Sequence, residues 1–224
     1  MLLELLLPAR CVVCRRGGRQ LCAACAAALP RLRGPGCERC GTPTAWPVRR
    51  CVECTGRRLA FAHARAAVAY DDAVRALVSA WKERGLRKLT SALAELVVET
   101  VEPPAVPLTF VPSDPERRRV RGEHPAEALA RELARRWELP VLPLLVRRAG
   151  ERQRGLPLAA RRANVRGAFS AREAPRRLVL VDDVYTSGAT VNEAASALRR
   201  GGSRHVHVVT VARAVRGYTV RSRA

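Results

Sequence analysis

Eight cysteines restrict what the first quarter of this chain can become. All lie before residue 55, in four C-x-x-C pairs: Cys11/Cys14, Cys22/Cys25, Cys37/Cys40 and Cys51/Cys54. Each pair can offer two thiolates to one tetrahedral ion, so four pairs complete two tetracysteine zinc sites with no open position. A disulfide framework would need an oxidising compartment. The opening "MLLELLLPARC" argues against one, because it has no basic n-region, an acid at Glu4 and an early proline at Pro8. It reads as a short amphipathic helix. A redox dithiol would need a pair set in a βαβ unit. The expectation is two structural zinc ions, since some fifty residues this poor in large apolar groups could hardly fold without metal. Spacing leaves open whether the pairs group in chain order or cross over; grouping in order is the simpler arrangement. His63, beyond the last pair, reads as a surface residue rather than a ligand.

After Cys54 the pattern changes, which divides the chain into a zinc-binding module over residues 1–58 and an α/β domain over 59–224. A strand ending near Tyr70 precedes a helix through Ala73, Leu77 and Trp81, and a second helix suits "LRKLTSALAELVVETV". "LTFVP" reads as a buried strand, "HPAEALARELARRWE" as a helix, "VLPLLV" and "RLVLVDD" as strands. Then "TVNEAASALRRGG" forms a helix stopped by Gly201 and Gly202, followed by the strand "HVHVVTVAR". Alternating strands and helices predict a mainly parallel sheet covered on both faces, with ligands at the carboxyl ends of its strands. Only 4% of residues are aromatic, so Leu, Val and Ala must build the core.

The stretch "LVLVDDVYTSGATV" then raises a chemical question, because a buried strand ends in two acids and a small, hydroxyl-rich turn. Backbone N–H groups at a helix start bind phosphate, and Gly188 allows close approach of the backbone to an oxygen. Thr186, Ser187 and Thr190 can add hydroxyl donors. Asp182 and Asp183 beside them can accept hydrogen bonds from a vicinal diol and help to hold Mg2+. A ribose 5-phosphate has both features.

The same stretch resembles the phosphoribosyl pyrophosphate (PRPP) binding motif of type I phosphoribosyltransferases. Together with the cysteine pairs, "LVSAWKERG", "VRGEHPAEALA" and "RQRGLPLAARRANVRGAF", it makes nearly the whole chain similar to the ComF family, known from bacterial DNA uptake in natural transformation. The resemblance implies a double zinc-ribbon-like module before a type I phosphoribosyltransferase-like sheet. It implies that Asp182 and Asp183 hold the ribose hydroxyls, and that Thr186, Ser187, Gly188, Ala189 and Thr190 cradle the 5-phosphate of Mg2+–PRPP. Lys82 matches the family's lysine after the first helix, although a plain surface role suits it equally. Gln153, Leu156, Arg161, Asn164 and Phe169 match a stretch that supplies a hood over pyrophosphate in related transferases, with Arg161 the candidate contact. The chain departs where the family usually has R-G-F-N-Q: Arg121 to Pro125 read "RGEHP", without the aromatic, the amide and the glutamine. His124 there reads as a capping or surface residue. Val111 and Pro112 begin the family's V-P-V-P run, which "VPSDPERRR" does not continue.

The formal net charge is +21, and only Lys82 and Lys88 are lysines. GC-rich codon usage, which an Ala-rich chain suggests, explains Arg over Lys but not the excess of bases over acids, so a polyanionic partner is expected. Nothing approaches the length of a membrane span, which suggests a cytoplasmic protein. Three functions fit. A ComF-type factor would handle single-stranded DNA, with membrane-associated uptake machinery as a partner. A phosphoribosyltransferase would join PRPP to an unknown nitrogen acceptor. A PRPP-responsive regulator would bind without turnover.

Overall fold

Two long strands with apolar central runs, Leu178–Val181 and Val208–Val209, organise the molecule. The computed structural model describes residues 9–114, 124–147 and 167–215. Among them, one short helix, α1 (Ala23–Ala28), lies in the cysteine-rich segment. In the sheet that follows, β5 (Arg177–Tyr185) and β6 (His205–Arg213) pair in parallel, from Arg177 opposite His205 to Tyr185 opposite Arg213. The strand β1 (His63–Ala69) lies on the other side of β6, and β2 (Leu108–Phe110) lies beside β5. The order β1-β6-β5-β2 is parallel throughout. The expected mixed α/β fold with a mainly parallel sheet is therefore observed.

Side chains alternating along these strands feed two cores, as the two-residue period requires. Val179, Val181, Val209 and Val211 face one core, built with α2 (Asp72–Glu83), α3 (Leu89–Val98) and α4 (Pro125–Trp137). In α2 the apolar stripe is Val74, Leu77, Val78 and Trp81, and the Asp71 carboxylate caps the helix by accepting from the Val74 N–H at 2.8 Å. Pro125 opens α4, where its missing N–H is harmless. Leu178, Leu180, Val206 and Val208 face the second core, where α5 (Ala189–Arg200) contributes Val191, Ala194 and Leu198.

Proline alters one expectation. The pattern of "VLPLLV" predicts a single strand, but Pro143 has no N–H and interrupts the ladder. Before it, Leu142 donates to the Leu108 carbonyl at 2.8 Å and Val141 makes only an isolated bridge beside β2. After it, β3 (Leu145–Arg147) turns away and pairs antiparallel with β4 (Phe169–Ala171), a strand the sequence pattern does not announce. The second helix of the α/β domain also starts later than its periodicity suggests: Leu86 packs on the core from the turn preceding Leu89.

The cysteine-rich segment is welded to this sheet. Its middle runs antiparallel along the free edge of β1, with Arg31 bridged to Val68, Leu32 donating to the Ala67 carbonyl at 2.9 Å and Ala69 donating to Pro30 at 2.8 Å. That covers an edge which would otherwise invite pairing with another chain. Before this seam, Val12 and Leu29 enter the first core; after it, Cys37, Cys40, Cys54 and Phe61 enter the second. At the end of β6 the buried guanidinium of Arg213 donates to the Cys40 carbonyl at 2.7 Å and to the Glu53 carboxylate at 2.6 Å. Arg213→Ala removes both bonds and leaves Glu53 uncompensated, so it should cost about 3 kcal/mol, measured as a lowered urea midpoint of the zinc-loaded protein.

Candidate functional site

The cysteine pairs group in chain order. Cys11, Cys14, Cys22 and Cys25 converge in one cluster, and Cys37, Cys40, Cys51 and Cys54 in another, with the sulfurs of each within 4.8 Å of one another. Tetrahedral zinc with bonds of about 2.3 Å would set its sulfurs about 3.8 Å apart. The separations of 3.7 Å for Cys14–Cys22, 3.6 Å for Cys40–Cys51 and 4.0 Å for Cys37–Cys54 meet that requirement. Backbone amides also point at sulfur, from Cys25 to Cys22 at 3.4 Å and from Cys51 to Cys37 at 3.3 Å, as thiolate ligands require. Both clusters therefore fit structural zinc.

The two halves repeat one design. Bridges Arg10–Gly17 and Gly36–Pro43 enclose equivalent knuckles, in which Arg15 donates to the Cys11 carbonyl at 2.9 Å and Gly41 to Cys37 at 2.8 Å. Both knuckle residues have positive φ. Gly41 has no alternative, because a Cβ there would run into the Ala64 carbonyl. His63 belongs to neither cluster. It is half-buried rather than on the surface, its ring 4.1 Å from that of His207, and burial and His207 lower its pKa to about 4.

The second candidate site lies at the carboxyl end of β5. Asp182 and Asp183 fall within this strand, which runs on to Tyr185, while Thr186 to Gly188 make the turn and Ala189 and Thr190 begin α5. Asp182 is nearly buried, and its Oδ1 accepts from the Asp183 N–H at 2.9 Å. Burial first, and then the Asp183 charge, push its carboxyl pKa up to about 8 against the opposing pull of Lys82 and Arg147. The Lys82 ammonium forms an ion pair with Asp183, so of the two sequence readings for Lys82, the plain surface role gives way to a place beside the paired acids.

Gly188 caps α5 with φ 72° and has no side chain with which to accept from the first-turn amides. A Cβ at Gly188 would also overlap Tyr185, whose buried hydroxyl has no hydrogen-bond partner among the described residues. Ser187 Oγ reaches the Ala189 N–H at 3.4 Å.

Residues that sequence reasoning missed complete the neighbourhood. Arg147 of β3 lies over the Phe169 ring at 5.5 Å and exerts its charge on Asp182. Arg57 donates to the Ser187 carbonyl at 2.9 Å. Neither stands out in a chain so rich in arginine; only their places in the fold distinguish them. Phe169 is buried in β4. Gln153, Leu156, Arg161 and Asn164, like Arg121 and Gly122, lie outside the described residues. His124 occupies the cap position of α4 but makes no side-chain cap bond; its buried ring accepts the Ser113 N–H at 3.0 Å, fixing the loop after β2.

Two outcomes follow from this geometry. Metal analysis should find two zinc ions per chain, falling to about one in Cys54→Ser, whose thermal midpoint should drop by more than about 5 °C. The raised pKa of Asp182 means that the folded state keeps a proton the unfolded chain has lost, so stability falls as pH rises from about 4 towards 8. The slope approaches about 1.4 kcal/mol per pH unit at most. Between pH 6 and 8, Asp182→Asn should flatten that slope and leave the protein more stable than wild type at pH 8, read by urea unfolding with zinc bound.

Known proteins resemble this chain. A double zinc ribbon domain pattern matches residues 2–55. Competence protein F of Haemophilus influenzae is 29% identical over 226 residues, covering 92% of this chain and 97% of its own length. DNA utilization protein YhgH of Salmonella typhi is 29% identical over 223 residues, covering 91% of this chain and 96% of its own. The structure of the allosteric regulatory enzyme of purine biosynthesis superposes over 55% of this chain and 25% of its own length, with 22% identity and a TM-score of 0.40. No helix among the described residues is long and apolar enough to cross a membrane. The ComF resemblance read from the sequence holds along almost the full chain, which is a homologue of competence protein F and YhgH and joins a double zinc ribbon to a mixed α/β domain.

Proposed function

We propose that the carboxyl end of the sheet is a Mg2+–PRPP site in a ComF-type protein that handles single-stranded DNA during competence. The observation that carries this reading is the junction of β5 and α5, where two acids and a helix-capping glycine with no room for a side chain lie within seven residues, Asp182 to Gly188. Asp182 and Asp183 would take the ribose hydroxyls, the largely protonated Asp182 as donor as well as acceptor. The amides and hydroxyls of Thr186, Ser187, Gly188, Ala189 and Thr190 would take the 5-phosphate. Mg2+ would neutralise the pyrophosphate, and Lys82 and Arg147, with Arg161 from the hood stretch, are the cations placed or expected nearby. In this reading residues 1–58 are the zinc module and 59–224 the phosphoribosyl unit.

The nucleic-acid half of the proposal draws on the names of the relatives, the net charge of +21 and one exposed side chain. Trp81 and Trp137 are buried, whereas Trp46 on the second ribbon is 68% exposed, close in sequence to the exposed Arg49 and Arg50. An aromatic face beside guanidinium groups suits an unpaired base next to its phosphates, with stacking contributing about 1–3 kcal/mol per base. Eight reduced thiols held as metal ligands fit a cytoplasmic setting.

A second reading is favoured by the cations around Asp182 and Asp183. A true transferase would let a nitrogen nucleophile form a bond to C1 while the C1–O bond breaks and pyrophosphate leaves with the electron pair. The residues would position the ribose and stabilise that leaving charge.

Calorimetric titration of the zinc-loaded protein with Mg2+–PRPP should show micromolar binding that is lost in the Asp182→Asn/Asp183→Asn double variant. Absence of binding by the folded wild type would remove the PRPP assignment, and pyrophosphate release on adding an amine or base would favour the transferase. Fluorescence anisotropy with a single-stranded oligonucleotide should show affinity falling steeply with salt and about tenfold weaker binding by Trp46→Ala. A salt-independent affinity would count against the DNA role.

A further inference from the structure

The two ribbons differ in what they hold. The first cluster packs beside Val12 and Leu29 on the α2–α3 face and is partly exposed at Cys14. The second is buried in the core beneath the β5–α5 junction, where Cys37, Cys40 and Cys54 pack with Tyr185 and Val191. We infer that Arg57 and Arg213 are positioning residues through which the second tetracysteine cluster holds the phosphate-binding loop in shape, so that the loop's competence depends on metal in that cluster. The inference rests on the phosphate-site reading above.

Four contacts from this ribbon and its exit carry it. Arg57, just past Cys54, donates from Nη2 to the Ser187 carbonyl at 2.9 Å. In a trans peptide the carbonyl and the following N–H point in opposite directions. Drawing the Ser187 carbonyl towards the ribbon therefore aims the Gly188 N–H away from it, outwards from the loop. Arg213 is held by the Cys40 carbonyl and the Glu53 carboxylate, and its guanidinium lies 4.5 Å from the centroid of the Tyr185 ring. Tyr185 is in turn the floor against which Gly188 rests with no space for a Cβ. Ala60 then donates to Asn192 Oδ1 at 2.8 Å, fixing the first turn of α5. The carbonyl of Cys40 and the carboxylate of Glu53 belong to the knuckles that metal closes, so releasing the metal frees the partners of Arg213 as well as the chain leading to Arg57 and Ala60.

Hydrogen–deuterium exchange on the zinc-loaded, ligand-free full chain tests the contact directly. In Arg57→Ala, exchange in the segment 186–193 should rise at least fivefold, with partial recovery in Arg57→Lys; Arg33→Ala, which removes an exposed guanidinium elsewhere, should exchange as wild type does. Unchanged exchange in Arg57→Ala overturns the inference. A stepwise chelator titration, with zinc counted by native mass spectrometry and freed cysteines identified by alkylation, supplies the metal arm. Micromolar Mg2+–PRPP affinity should survive emptying of the Cys11–Cys25 cluster and fall at least tenfold when the Cys37–Cys54 cluster empties. Affinity that persists with both clusters empty, or disappears with the first alone, also overturns it. If the wild type binds no Mg2+–PRPP but Arg57→Ala still loosens the segment, the phosphate-site reading fails while the positioning role stands.

Discussion

The buried guanidinium of Arg213 ties the second zinc knuckle pair to the ends of the two central strands. It ends a core strand, yet its side chain is 1% exposed and satisfies a carbonyl from one zinc knuckle and a carboxylate from the next, while stacking on Tyr185 of the neighbouring strand. Arginine suits this role better than lysine, because its planar fork can reach two acceptors and still offer a face to an aromatic ring. The desolvation of that charge is tolerable only because its partners are in place. The cysteine-rich segment and the sheet are thus mutually dependent, since the terminal nitrogens of this buried cation find their acceptors, among the described residues, only in the ribbon.

A second constraint lies one strand-end away. A parallel central strand must be apolar on both faces, and β5 obeys this from Leu178 to Val181. Asp182 breaks the rule while still inside the strand, and burial there, with the neighbouring Asp183 charge, raises its pKa. Nearby cations offset part of that burden: Lys82 engages Asp183, and Arg147 acts on Asp182 from a strand that Pro143 has turned out of the main ladder. A carboxyl held in a place that penalises its charge, next to a helix whose cap is a glycine, is what the proposed phosphoribosyl site would require.

Much of this was legible from residue order. Four C-x-x-C pairs specified two clusters, and long apolar runs with period two or with helical spacing specified β5, β6 and the helices that cover them, because those signals are local. Distance across the fold was not legible. Nothing adjacent in sequence relates Arg57 to Ser187 or Arg213 to Cys40, and in a chain with 41 Lys and Arg residues no single arginine announces itself. The short strand β4 also escaped notice, since three residues carry no period. Lys82 stood out in the sequence only as a match to a family lysine, with a surface role equally open; packing of α2 on the sheet is what brings its ammonium to the Asp183 carboxylate.

The repeat within the cysteine-rich segment shows how one local design can acquire two environments. Both knuckles use the same backbone bonds and the same positive φ, at Arg15 in the first and Gly41 in the second. In the first the residue is exposed, and a long side chain is tolerated despite the backbone cost. In the second the knuckle is pressed against β1, and only glycine fits beneath the Ala64 carbonyl. The seam along β1 separates the copies, sending one to each face of the sheet. Burial of the second cluster among Phe61, Tyr185 and Val191 leaves its protein ligands little freedom to rearrange, whereas the exposed Cys14 leaves the first open to exchange with its surroundings. Equal coordination chemistry therefore need not mean equal mechanical consequence. A metal enclosed by the core transmits its constraint to the strand ends above it, and one at the periphery constrains chiefly its own loop.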